Sequence, residues 1–431
     1  MGGKYIEQAG GTISEIAQND YTIYAEGNII TNAKKSINEV GEDNGVSFGS
    51  PSDPPATTKV STIKLMGVLD DGSANDGTGN NYQKGLVFGN AYEFKVTGYT
   101  NGEPINKSSI KWMIKYQSPQ YSFNKSLEIE QHFILGDSVI ITMNDKDMCG
   151  CDVLIRAYIS DPSSEGELKL WMHNRFRFFD RKQLENEVED RTTKGKPWMI
   201  DQGGTPLCGV AIIFYLLAKK ERDAYKKSAL ELHRIGFSQN HEYVIEPSDK
   251  TIYEMNPSSQ EYPSSGNTKD SRMPRVDWIT MVSARNKESL FGYTGKSDQV
   301  ASAINLPSMV VKFQKELLGY SNVIDNTYIV MDYNSDKLNW LIEMQKAYQE
   351  GYSVSILIDS DMLKDKPSHF AAADNPASWR FHWIIYEGGL FVDDTTNTYT
   401  FSYWCWGDRI KTHAFKKDNF NSNFFGYIKG I

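Results

Sequence analysis

Cys208 is the side chain in this chain whose surroundings best suit a nucleophile. It follows a loop rich in Gly and Pro, Trp198 to Leu207, and opens a run that is apolar throughout, Val210 to Ala218. A run with no polar face reads as a buried helix. A thiol in the first turn of such a helix lies beside free backbone N–H groups and the positive end of the helix dipole. Both favour the thiolate, which is the nucleophilic form. Gln202, six residues upstream, carries an amide that could donate an N–H to an oxyanion formed at the sulfur. Free cysteines are more often inert core packing than nucleophiles. The loop glycines, the Gln at minus six, the Cys-Gly start and a suitable downstream His together point to chemistry.

A cysteine nucleophile needs a base, and the base needs an orienting group. Three histidines lie in the C-terminal third. His369 sits in the polar loop Lys-Pro-Ser-His-Phe, and His413 lies among Lys411, Lys416 and Lys417. His382 opens Arg380-Phe-His-Trp-Ile-Ile-Tyr-Glu-Gly-Gly-Leu-Phe-Val-Asp-Asp, which reads as a buried strand, a Gly-Gly hairpin and a return strand. With Gly388-Gly389 as a two-residue turn, Ile384 pairs with Asp393; with Glu387-Gly388 as the turn, His382 itself does. Strand side chains alternate, so either register puts Asp393 on the face of His382. A three-residue loop would put Asp394 there instead.

The Gln202 to Cys208 spacing, with Cys208 opening a helix, resembles the papain-like cysteine peptidases. The resemblance covers residues 197–431. It implies an α+β hydrolase domain with Cys208 as nucleophile and Gln202 in the oxyanion hole. His382, at the start of a strand as in that family, is the implied base, with His369 a weaker claimant. Papain itself has an Asn just before Ser-Trp-Gly, whereas the matching Trp404-Cys405-Trp406-Gly407 has Trp at that place. The third member therefore looks closer to bacterial relatives that use an acid soon after the His. Asp393 is the first choice and Asp394 the second.

These residues must be positioned by a chain of 431 residues, long enough for two or three domains. Residues 1–49 carry short apolar pulses about every eight residues, separated by Gly, Asn, Asp and Lys. Such pulses can stack into a small β-repeat or add strands to a partner. Gly2-Gly-Lys-Tyr-Ile-Glu-Gln-Ala-Gly-Gly through Asn44-Gly-Val-Ser-Phe-Gly resembles the N-terminal segment of effectors of Bacteroidetes-type type VI secretion systems. That resemblance implies loading onto secretion spike or tube components. Residues 50–59 form a Pro-rich linker. Over 60–180 about seven alternating or β-branched runs, divided by Gly, Asn, Asp and Pro, fit an antiparallel sandwich of immunoglobulin type. Trp112 is expected in the core of one sheet and the strand from Cys151 in the centre of the other. Residues 181–196 read as a charged connector with a solvated face. From residue 197 helices come mostly first and strands mostly last. Helices are expected over Glu221 to Ile235, around Asp277, over Pro307 to Leu318 and over Lys337 to Glu350. Strands are expected at Tyr328-Ile-Val-Met and from Ser353.

Composition excludes several classes. The net charge is −9, from 46 basic and 55 acidic residues, which argues against a nucleic-acid partner. No apolar run is long enough to span a bilayer. The N-terminus lacks a signal-peptide core, and Ile6 stands where a myristoylation signal would need Ser or Thr. Cys149-Gly-Cys151 lacks zinc-pair spacing, and four cysteines make no disulfide framework in a chain this long. Neither metal nor organic cofactor is called for.

The resemblances imply an antibacterial effector, made in the cytoplasm and exported by a dedicated secretion system. It would act as a cysteine hydrolase on a protein or peptide in a target cell, with a cognate immunity protein as partner. Two other classes stay open: a peptidoglycan amidase of the same Cys/His type, and a non-catalytic structural or adhesion protein with an inactive hydrolase fold.

Overall fold

A computed structural model describes residues 57–119, 124–128, 134–258, 263, 272–289, 293, 306–328, 337–364 and 380–431. The 1–49 segment, most of the 50–59 linker and His369 lie outside these residues, as do the last three residues of the expected strand from Tyr328. The described chain is mostly β, in several antiparallel sheets, with helices concentrated in the second half.

The first half holds β1 (Val60–Leu65), β2 (Asp70–Ser73), β3 (Tyr82–Gly85), β4 (Ala91–Tyr99), β5 (Lys111–Gln117), β6 (Asn124–Glu128), β7 (Ile134–Leu135), β8 (Ser138–Thr142), β9 (Cys151–Tyr158) and β10 (Glu167–Met172). Two four-stranded sheets form, ordered β1-β4-β8-β7 and β10-β9-β5-β6. In β4, Tyr92, Phe94 and Val96 are buried while Glu93 and Lys95 face water, the period-two pattern of a strand with one wet face. Both sheets contribute to one core, with Phe94 and Val139 from the first and Trp112, Val153 and Ile155 from the second. Glu165 accepts backbone N–H groups from Val60, Ile159, Ser160 and Asp161, fastening β1 to the turn after β9. One expectation fails here: β5 and β9 are neighbours in the same sheet, with Trp112 opposite Ala157. Alternation specifies which face of a strand is buried, whereas its partner strand is chosen by contacts distant in sequence.

The second half starts with α1 (Arg181–Arg191), α2 (Cys208–Lys220) and α3 (Arg222–Ile235). There follow β11 (Ser238–Asn240), β12 (Tyr243–Ile245), α4 (Asp249–Glu254), α5 (Arg275–Lys287), α6 (Pro307–Lys312), β13 (Val323–Thr327), α7 (Leu338–Gln349) and β14 (Ser353–Asp359). The chain ends with β15 (Phe381–Tyr386), β16 (Phe391–Asp393), β17 (Thr398–Trp404), β18 (Lys411–Lys416), α8 (Lys417–Asn423) and β19 (Phe424–Gly430). Asp180 caps α1 by accepting from Gln183 N–H. This helix is not a solvated connector: Leu184, Val188 and Arg191 are buried.

A seven-stranded sheet runs β13-β19-β14-β15-β17-β16, with β18 also on β17. Leu357, Trp383, Ile385 and Ile428 face one side and share a core with α2 and α5. Ile356, Ile384, Tyr386 and Tyr427 face the other and share a core with Leu341 and Met344 of α7. β14 is thus buried on both faces, all seven residues of it, which accounts for its unbroken Ser-Val-Ser-Ile-Leu-Ile-Asp run. No helix among the described residues is long and apolar enough to cross a membrane.

Candidate active site

The loop ahead of Cys208 is held by polar contacts. Asp201 N–H donates to Asp277 Oδ2 at 2.9 Å, and Gly203 N–H donates to Asp201 Oδ1 at 2.8 Å. Gly203 has a φ of 59°, in the left-handed region that glycine enters without strain. Gly407 N–H donates to the Ile200 carbonyl at 2.6 Å and the Trp404 indole N–H to the Trp198 carbonyl at 3.3 Å. The loop is therefore stapled to the segment that follows β17. α2 is fixed to the same region, since Tyr215 stacks on Trp404 with ring centroids 4.0 Å apart. Tyr215 Oη and Lys219 Nζ both donate to the buried Glu387, each at 2.6 Å.

Cys208 begins α2 and is buried in the core that includes Trp383 of β15. Burial pushes its thiol up to about 11, against the N–H groups of Trp383, Gly209 and Cys208 itself, which favour the thiolate. Gln202 is buried, and its Nε2 donates to the Thr205 carbonyl at 2.8 Å. Its Oε1 accepts no hydrogen bond. The loop thus holds Gln202 by its own backbone, with one of its two amide hydrogens engaged.

His382 lies on β15 next to Trp383 and opposite Ile358 of β14. Burial alone pushes its imidazole down to about 3, so the ring is neutral. Its Nε2 is 3.3 Å from Cys405 Sγ, and the Trp406 ring packs on it edge to face, centroids 4.0 Å apart. The ring's hydrogen bond therefore goes to Cys405 rather than to Cys208. Burial raises the Cys405 thiol as well, and the Cys208 thiol adds to the rise.

Asp393 is not part of this cluster. Ile385 faces Trp404 and Phe391 faces Thr400, so one strand advances six residues while β17 advances four. Gly388 and Gly389, with φ of 81° and 77°, are a bulge within that strand rather than its turn. The chain reverses after Asp393, whose Oδ1 accepts the N–H groups of Thr395 and Thr396. Asp393 lies eleven positions after His382, on the order of 30 Å along a strand. Asp394 is exposed and pairs with Lys417 at 2.6 Å. The hairpin expectation fails because two adjacent glycines serve a bulge as readily as a turn.

Sequence reasoning missed two features. Cys405 and Trp406 lay in the segment compared with Asn-Ser-Trp-Gly, so their signal was present but attached to position 404. The ion pair of Arg191 and Asp277 leaves no local trace, its members being 86 residues apart. Among the described residues no group of three or more His, Cys, Asp or Glu is placed to hold a metal ion.

Burial also pushes His233 to about 3, its Nε2 held 2.9 Å from the Phe179 carbonyl. Both histidines are neutral when folded but take protons below about 6.5 when unfolded. Their contribution is complete above that pH and is lost as the pH falls toward 3. Each should steepen acid destabilisation by about 1.4 kcal/mol per pH unit in that window. Urea midpoints between pH 7 and 4.5 should fall less for His233→Gln/His382→Gln than for wild type; equal slopes would refute the assignment.

Compared with protein-family models, curated proteins and solved structures, the chain gives no match.

Proposed function

We propose that the chain is a delivered cysteine hydrolase of papain-like type: a loading segment at 1–49, an immunoglobulin-like sandwich at 60–180 and the enzyme at 197–431. The observation that carries this is the setting of Cys208. Cys208 opens the buried helix α2, and the N–H of Trp383, the residue after His382 on β15, favours its thiolate together with the Gly209 N–H and its own, against the rise that burial imposes.

In the proposed reaction the Cys208 sulfur attacks an acyl carbon while its proton passes to His382. The Cys208 N–H and the free amide hydrogen of Gln202 hold the oxyanion. The imidazolium then protonates the leaving amine as the C–N bond breaks, and water, deprotonated by His382, hydrolyses the thioester and restores the thiol. The Cys208–His382 contact that this needs is of a kind that in unliganded enzymes often tightens only with substrate bound. A peptide or isopeptide bond in a target bacterium is the proposed substrate, and an immunity protein covering Cys208 the proposed partner.

The depth at which Cys208 and His382 are buried favours a second reading, a hydrolase fold without activity. Growth of a bacterial host expressing the full chain, directed to cytoplasm or periplasm, separates the two. Toxicity lost in Cys208→Ala is the expected result, and the compartment that kills distinguishes protein from cell-wall substrates. Equal growth with the wild-type and Cys208→Ala chains, both folded, would refute the enzyme.

A further inference from the structure

We infer that Cys405 is the positioning residue for His382, in the place usually given to an amide or carboxylate. The inference rests on Cys208 acting as the nucleophile. The Cys405 sulfur lies 3.3 Å from Nε2. An Nε2–H donated to that sulfur fixes the tautomer and leaves the lone pair on Nδ1, the nitrogen free to take the Cys208 proton. No bond to sulfur forms or breaks at Cys405; its part is to hold the ring.

Three observations support this. The backbone on both sides of Cys405 is fixed, since Trp404 stacks on Tyr215 and bonds Trp198, while Gly407 N–H donates to Ile200 at 2.6 Å. The Trp406 ring packs edge to face with the imidazole, and His382 is buried. The two acids nominated for the role are engaged elsewhere, Asp393 in its own turn and Asp394 with Lys417. Cys405 is a poor candidate for the nucleophile: it follows a strand rather than opening a helix, and one backbone N–H, that of Trp406, with the Lys411 charge favours its thiolate, against three N–H groups at Cys208. A thiol is a weak acceptor. It orients the imidazole while doing little to stabilise an imidazolium, in keeping with a resting pair that is neutral on both sides.

The test uses the full chain and iodoacetamide, with peptide mapping of each cysteine, so that no substrate need be known. In wild type, Cys208 is expected to react fastest, with the buried Cys149 and Cys151 as internal references. Cys405→Ala should slow Cys208 alkylation at pH 7 about tenfold and steepen its rise with pH, because the freed ring no longer presents Nδ1. Cys405→Ser, which keeps an acceptor at that place, should restore both rate and profile. A merely structural role would change melting temperature alike in both variants without moving the pH profile. Unchanged Cys208 rate and profile in Cys405→Ala would overturn the inference and leave the enzyme reading intact. Preferential labelling of Cys405, persisting in Cys208→Ala, would overturn both.

Discussion

His382→Gln is expected to lower the reactivity of Cys208 at pH 7 by about two to four orders of magnitude. The size follows from the state of the thiol. With burial holding Cys208 at about 11, roughly one molecule in 10⁴ carries the thiolate at pH 7. Without a base the rate is limited by that fraction and should rise about tenfold per pH unit until the thiol ionises. With the base in place the proton leaves as the sulfur attacks, and the profile should be much flatter. Alkylation rates of Cys208 from pH 5 to 10, in wild type and His382→Gln, make the comparison. Parallel profiles would mean that His382 does not serve Cys208.

Asp277→Ala should cost about 3–5 kcal/mol of stability. Arg191 and Asp277 are each about 1% exposed, and they meet through Nε to Oδ1 at 3.0 Å and Nη2 to Oδ2 at 2.5 Å. Removing the carboxylate strands a guanidinium in the core, and its remaining bonds to the Glu187 and Met199 carbonyls do not neutralise it. The same carboxylate accepts Asp201 N–H, so its loss also loosens the loop that carries Gln202. Arg191→Met/Asp277→Leu, which removes both charges, should recover most of the stability without recovering the loop contact. Urea denaturation measures the first effect and Cys208 alkylation the second. A loss below about 1 kcal/mol in Asp277→Ala would show that the pair is not the buried tie described.

The two effects differ in how far the sequence announces them. Cys208 at the start of an apolar run is a local signal, and α2 begins at that residue, with every residue from Cys208 to Ala218 buried. β4 spans Ala91–Tyr99 as its alternation predicts, and β14 starts at Ser353 where the doubly buried run does. Local periodicity also determines α3 and α7 to within a residue or two at each end. Each of these follows from side chains within one turn or one strand of each other.

Tertiary structure alone decides what those elements meet. The sequence of β15 to β17 allows a hairpin at Gly388-Gly389 as well as the observed bulge, and only the register against β17 removes Asp393 from His382 and brings Cys405 to it. Arg181 to Lys196 carries charge at a density that reads as solvated, yet Arg191 is buried because Asp277, far along the chain, is there to receive it. Local free energies of a few tenths of a kcal/mol per residue select helix or strand. Which strand pairs with which, and which acid meets which base, depends on desolvation and contact energies of several kcal/mol that arise only when distant segments pack together.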